Sequence, residues 1–207
     1  MTKVKICGIT NLEDALHAVE CGADMLGFNF YRGSRRYVEP GMAAEIVREL
    51  SGSKVEHVGV FVNAEPAEIA EIAQHVGLTT VQLHGDETPE IVDELRQSLP
   101  ELIIVKAVRV GGSLALRAVA AYAADHVLLD GEAGAAFGGA GQTFDWELAR
   151  GIDGMILAGG LTPHNVAEAI RTLRPHAVDV ASGVESSPGK KDPERVAAFI
   201  KAAKEAL

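Results

Sequence analysis

The chain has 207 residues, 47% of them hydrophobic, and 29 acidic residues against 19 basic ones give it a net charge of -10. That length suits one or at most two compact cores, and the acidic balance excludes nonspecific attraction to nucleic acid or to an anionic membrane surface. No apolar run approaches the ~18 residues of a membrane span, no leader-like segment precedes the first strand pattern, and two cysteines without metal-ligand spacing suggest neither a disulfide framework nor zinc.

Eight short apolar segments read as strands: "KVKICGI", "DMLGFNF", "VEHVGVFV", "TVQLHG", "LIIVKAV", "HVLLDG", "GMILAGG" and "AVDVASG". Amphipathic helical stretches separate them. Asn11 ahead of "LEDALHAVE" and Asp145 ahead of "WELAR" read as helix N-caps. Thr88-Pro89, Thr162-Pro163 and Asp192-Pro193 each set a capping oxygen before a proline at the first helical position, where its missing N–H costs nothing. In the last helix Val196, Phe199, Ile200 and Ala203 share one stripe, as docking on a sheet requires. Eight strands and eight helices, one pair per roughly 25 residues, predict a single (β/α)8 TIM barrel over residues 1–207, at the small end of that fold's range.

A barrel places its chemistry at the C-terminal ends of its strands. In the first strand Lys5 and Cys7 share one face, and Cys7 is the last inward residue before Gly8 turns the chain. The sixth strand ends its apolar run on Asp130, a carboxyl group suited to general acid work. Gln82 and His84 share a face of the fourth strand, and Lys106 and Arg109 lie near the end of the fifth. Taken alone, Cys7 fits a small buried hydrophobe better than a catalyst, Asp130 fits a cap or ion pair as well as an acid, and His84 fits a structural hydrogen-bonder. Cys21, at the far end of the first helix, reads as packing, too far away for a disulfide with Cys7.

Glycine clusters follow the last three strands: Gly138, Gly139 and Gly141 in "GGAG", Gly159-Gly160, and Gly183 in "SGV" after Ser182. Such turns let backbone N–H groups approach and bind phosphate without a cationic side chain, which reconciles an anionic ligand with an acidic protein. The one dense basic segment, "YRGSRRYVEP", follows the second strand. Its arginines form either a solvated face or, through one member, a bidentate carboxylate site.

Six motifs in order, "KICGIT", "SRRYV", "VQLHGDE", "LLDG" with "GGAGQTFDW", "LAGGLTPHNV" and "DVASGVESSPGKKD", resemble the phosphoribosylanthranilate isomerases of tryptophan biosynthesis from residue 3 to about residue 192. The two cysteines without an export signal point to a reducing cytoplasm, and the resemblance implies a cofactor-free and metal-free Amadori rearrangement of a phosphorylated, carboxylated aminoaldose by a monomer or homodimer. It implies Cys7 as general base, Asp130 as general acid and Arg36 as the carboxylate ligand, with Gly139, Gly141, Gly160, Ser182 and Gly183 around the phosphate. For Cys7 to serve as base, its thiol, with a reference pKa of ~8.5, needs moderate depression, to which Lys5 would contribute. Gly131 after Asp130, the lysine-free loop "EAGAAF" and Ala140 between the glycines depart from the family pattern. A noncatalytic phosphosugar-binding barrel would need neither Cys7 nor Asp130. A metal-dependent epimerase would need more strand-end histidines than His84.

Overall fold

The computed structural model describes residues 1–110, 122–131 and 146–206. Eight parallel strands close into a barrel in chain order: β1 (Lys3–Cys7), β2 (Met25–Asn29), β3 (Glu56–Phe61), β4 (Thr80–Leu83), β5 (Ile103–Val110), β6 (His126–Gly131), β7 (Ile156–Leu157) and β8 (Ala177–Val180), with β8 returning to β1. Around it lie α1 (Leu12–Glu20), α2 (Pro40–Glu49), α3 (Pro66–Val76), α4 (Pro89–Ser98), α5 (Val166–Leu173) and α6 (Pro193–Lys204). The TIM barrel expected from the sequence is the fold observed. Among the described residues, no helix is long and apolar enough to cross a membrane.

Alternation along each strand sorts the apolar side chains into an outer layer and an inner one. Outward residues such as Ile6, Leu26, Phe28, Val81, Leu83 and Val178 pack beneath the helices in the outer layer. Inward residues Met25, Val58, Val105, Ala107, Leu128, Ile156, Ala158 and Ala177 fill the barrel itself. α6 docks through Val196, Phe199, Ile200 and Ala203, all buried, as its stripe predicts. Burying a side chain of the Phe199 class contributes about 1.5–3 kcal/mol.

Register then decides which polar side chains meet. Laterally paired residues in a parallel sheet point to the same side. Pairing of Lys5 with Asp179, of Cys7 with Gly27 and of Arg109 with Asp130 brings side chains from distant parts of the sequence to one level of the barrel.

The caps are partly as expected. Asn11 accepts from the Asp14 N–H, and Asp192 accepts from the N–H groups of Glu194 and Arg195. Thr88 occupies the N-cap of α4 without a side-chain capping bond. α5 starts at Val166 rather than after Thr162: Asn165 Oδ1 accepts from the Thr162 N–H, and Thr162 Oγ1 from the His164 N–H, closing a turn before the helix. Residues 146–149 form a 3-10 turn; the Asp145 cap lies outside the described residues. A short antiparallel hairpin not foreseen from the sequence, β9 (Glu185–Ser187) and β10 (Lys190–Lys191), follows the 3-10 turn Ser182–Val184. Its Pro188-Gly189 corner uses the positive φ of Gly189.

Candidate active site

Cys7 closes β1 half-buried, and both cysteines are free thiols. Its sulfur and the Lys5 ammonium both rest on the backbone of Gly27: a Cβ there would stand 2.8 Å from Cys7 Sγ and 3.2 Å from Lys5 Nζ. Lys5, fully enclosed, donates to Asp179 Oδ1 at 3.0 Å. The expected moderate depression of the thiol is not observed. Burial pushes it above its ordinary value; Lys5 and Lys191 pull it down and Asp179 pushes it up, and burial wins. Lys5 itself is raised: burial opposes its charge, but Asp179 and Cys7 outweigh that cost, so it remains an ammonium.

Arg36 reaches the same end of the barrel from the loop after β2, its chain lying across Gly8, where a Cβ would meet Arg36 Cδ at 2.6 Å. It donates from Nε and Nη2 to Glu185 Oε1 and Oε2, at 2.8 and 2.7 Å, a two-point ion pair. Glu185 also accepts from buried Lys191 at 3.0 Å, and Lys191 donates to the Cys7 carbonyl at 2.5 Å. Burial raises the Glu185 carboxyl, but its bonds to Arg36 and Lys191 dominate and hold it below the ordinary range. Burial lowers Lys191 despite Glu185. Neither Glu185 nor Lys191 is assigned a role by sequence reasoning. The signal that could find them is the charged residues of "GVESSPGKKD" lying one tight turn apart.

Across the barrel Asp130 is the penultimate residue of β6, buried. Gln82 Nε2 lies 2.8 Å from His84 Nδ1, and His84 Nε2 lies 3.3 Å from Asp130 Oδ2. With the Gln82 amide donating to Nδ1, the neutral ring carries its proton on Nε2 and donates to Asp130. The inward pair expected on β4 is therefore a relay ending on the acid. Asp130 Oδ1 faces Gly159, where a Cβ would come within 2.8 Å of it. Lys106 borders the same cavity as His84 and Asp130, but its ammonium is engaged elsewhere. It points outward, buried, and donates to Glu87 Oε2 at 2.8 Å and to the Gly85 carbonyl at 2.9 Å, while Glu87 accepts from the N–H groups of Asn63 and Gly85. This pair ties the loops after β3 and β4 to β5. A cavity of about 280 Å³ lined by His84, Arg109, Tyr122 and Asp130 opens beside it.

Gly160 and Gly183 lie in the neighbouring loops after β7 and β8. Gly159 and Gly160 have φ of 82° and 63°, and the Gly160 carbonyl accepts from Asn165 Nδ2 at 3.0 Å. A Cβ on Gly183 would fall 1.9 Å from the Leu161 carbonyl oxygen, so only glycine lets the two loops close on one another. Ser182 starts the adjoining 3-10 turn. Gly138, Gly139, Ala140 and Gly141 lie outside the described residues. Among the described residues, no group of three or more His, Cys, Asp or Glu could hold a metal ion.

Residues 4–202 match the family model described as N-(5'phosphoribosyl)anthranilate (PRA) isomerase. The chain belongs to that family. An N-(5'-phosphoribosyl)anthranilate isomerase of Citrifermentans bemidjiense is 51% identical over 207 residues, 99% of this chain and 98% of the relative. The crystal structure of the phosphoribosyl anthranilate isomerase of Thermotoga maritima superposes with a TM-score of 0.91 at 46% identity, covering 99% of each chain. A phosphoribosyl anthranilate isomerase in complex with reduced 1-(o-carboxyphenylamino)-1-deoxyribulose 5-phosphate matches with a TM-score of 0.87 at 45% identity, again over 99% of each chain.

Proposed function

We propose that this barrel isomerises N-(5'-phosphoribosyl)anthranilate to 1-(2-carboxyphenylamino)-1-deoxyribulose 5-phosphate, with Asp130 as general acid, Cys7 as general base and Arg36 as the carboxylate ligand. The catalytic unit is the single barrel of residues 1–207, acting in the cytoplasm as a monomer or homodimer without a cofactor. The observation that carries the reading is the opposition of two proton-transfer groups at the barrel mouth, each with its own partner: Cys7 beside Lys5 on β1, and Asp130 beside His84 on β6.

Asp130 Oδ2 accepts from His84, so the oxygen left to carry the transferred proton in the acid step is Oδ1, which the missing Cβ of Gly159 leaves open. Oδ1 delivers that proton to the ribose ring oxygen as the C1'–O bond breaks, and the anilino nitrogen supplies the electrons to form the iminium. The iminium withdraws electrons from C2', and the Cys7 thiolate takes the C2' proton to leave an enolamine. Protonation at C1' and loss of the 2'-hydroxyl proton give the ketone, so C1' is reduced and C2' oxidised within one molecule. With burial holding the thiol high, the iminium next to it adds the cation that favours the thiolate when it is needed. Arg36, braced by Glu185 on one edge, offers its remaining N–H groups to the carboxylate. Gly160, Ser182 and Gly183, with Gly139 and Gly141, hold the phosphate through backbone N–H groups.

The direct test supplies purified protein with freshly prepared phosphoribosylanthranilate and follows loss of its anthranilate-type fluorescence. Steady consumption is the expected result. No turnover by folded protein would overturn the reading in favour of a noncatalytic phosphosugar-binding barrel.

A further inference from the structure

The groups around Cys7 form a charge cluster in which the reaction scheme leaves Lys5, Asp179 and Lys191 without a purpose. Lys5 Nζ is held by Asp179 Oδ1 at 3.0 Å, and Glu185 is shared by Arg36 and Lys191. Three cations thus face two carboxylates, and the balance of 3 - 2 leaves one positive charge enclosed at the sulfur. A buried excess charge is costly unless a counter-charge completes it. A thiolate at Cys7 is the group in place to do so. The substrate does not upset this balance once its ring has opened, because it brings a carboxylate and an iminium together.

We propose that Lys5, fixed by Asp179, is the positioning residue that favours ionisation of the Cys7 thiol against the cost of its burial, within a buried cluster completed by Arg36, Glu185 and Lys191. Lys5 has the geometry for this role. It precedes Cys7 by two residues, so both side chains point into the barrel, and Gly27 opposite leaves the space in which the ammonium and sulfur meet. The groups facing the sulfur are Lys5 from β1, Asp179 from β8, Lys191 from β10 and Arg36 from the loop after β2. Lys191 acts differently, because its bond goes to the Cys7 carbonyl and fixes the backbone.

The inference rests on Cys7 as base, yet it is tested without turnover. In a Cys21→Ser background, where Cys7 is the single thiol, the rate of alkylation by iodoacetamide is measured against pH. Lys5→Met is expected to raise the midpoint by about 1 pH unit or more, which slows alkylation about tenfold at a fixed pH below it. Asp179→Asn is expected to lower the midpoint, and Lys5→Arg to restore it towards the parent value. A structural pair with no hold on the sulfur would not shift the midpoint in opposite directions. An unmoved midpoint in folded Lys5→Met, or shifts of the same sign in the two variants, overturns the proposal. Should Lys5→Met fail to fold, Lys5→Met/Asp179→Asn removes both buried charges together. Its midpoint is expected above the parent's, because Lys5 acts on the sulfur more strongly than Asp179 does, and a midpoint at or below the parent's overturns the proposal. Normal kcat in Cys7→Ala would instead overturn the base assignment and leave the alkylation result standing.

Discussion

At Cys7 two effects oppose one another, and burial is the larger. Enclosure in the barrel disfavours the thiolate, and the ammonium of Lys5 favours it; the side chain is useful because neither effect removes the other. Cys7→Ala and Asp130→Asn are each expected to lower kcat about 10²-fold or more, the range for a lost general base or acid, with unchanged circular dichroism. A Cys7→Ala protein with normal kcat would show that the proton leaves to another group. Arg36→Ala is expected to raise KM with a smaller effect on kcat, since it removes a ligand of the substrate's nonreacting end. An unchanged KM in steady-state assays would refute the carboxylate role.

Among the elements, the loops after β7 and β8 depend on one contact, the approach of Gly183 to the Leu161 carbonyl. Gly183→Ala puts a methyl group into a backbone oxygen and forces the two loops apart, at a cost of about 1–3 kcal/mol. It is expected to lower Tm and to weaken inorganic phosphate as a competitive inhibitor. Unchanged phosphate inhibition would mean that these loops do not form the grip. The hairpin β9–β10 has a comparable role on the other side of the mouth. Its Glu185 braces Arg36 and its Lys191 holds the Cys7 backbone, so a short surface element organises both the Arg36 guanidinium and the end of β1. From the sequence, "ESSPGKKD" resembles a polar connection, because alternation and helical periodicity are both absent over so few residues.

Over the whole molecule, chemistry and stability separate to opposite ends of the barrel. His57, His126 and His176 lie at the N-terminal end, where His126 and His176 stack at 4.2 Å and buried His57 Nε2 has no hydrogen-bond partner among the described residues. Burial lowers His57, and burial together with His126 and Lys3 lowers His176, from an ordinary value of 6.5. The unfolded chain therefore binds these protons more readily. Their contribution to stability is complete above 6.5 and is lost as pH falls from there through the folded values. The contribution of Glu185 is complete above its ordinary 4.5 and is lost only at lower pH, as its depressed folded value is crossed. Tm measured against pH should begin to fall below about 6.5, and His57→Phe/His176→Phe should flatten that first decline while leaving the later one. An identical slope in the variant would rule out the histidines as its cause. By itself the sequence determined the barrel, because hydrophobic alternation of strands with amphipathic helices is a local signal repeated along the chain. It also placed Cys7 and Asp130 near strand ends, since such positions can be counted along the chain, whereas Arg36 was picked out of its basic loop only by resemblance to the family. Only the tertiary structure decided that Lys5 meets Asp179 across 174 residues, that Arg36 is braced by Glu185, and that Gln82 and His84 lead to Asp130. Those pairings follow from strand register and barrel closure, which arise from packing the whole chain.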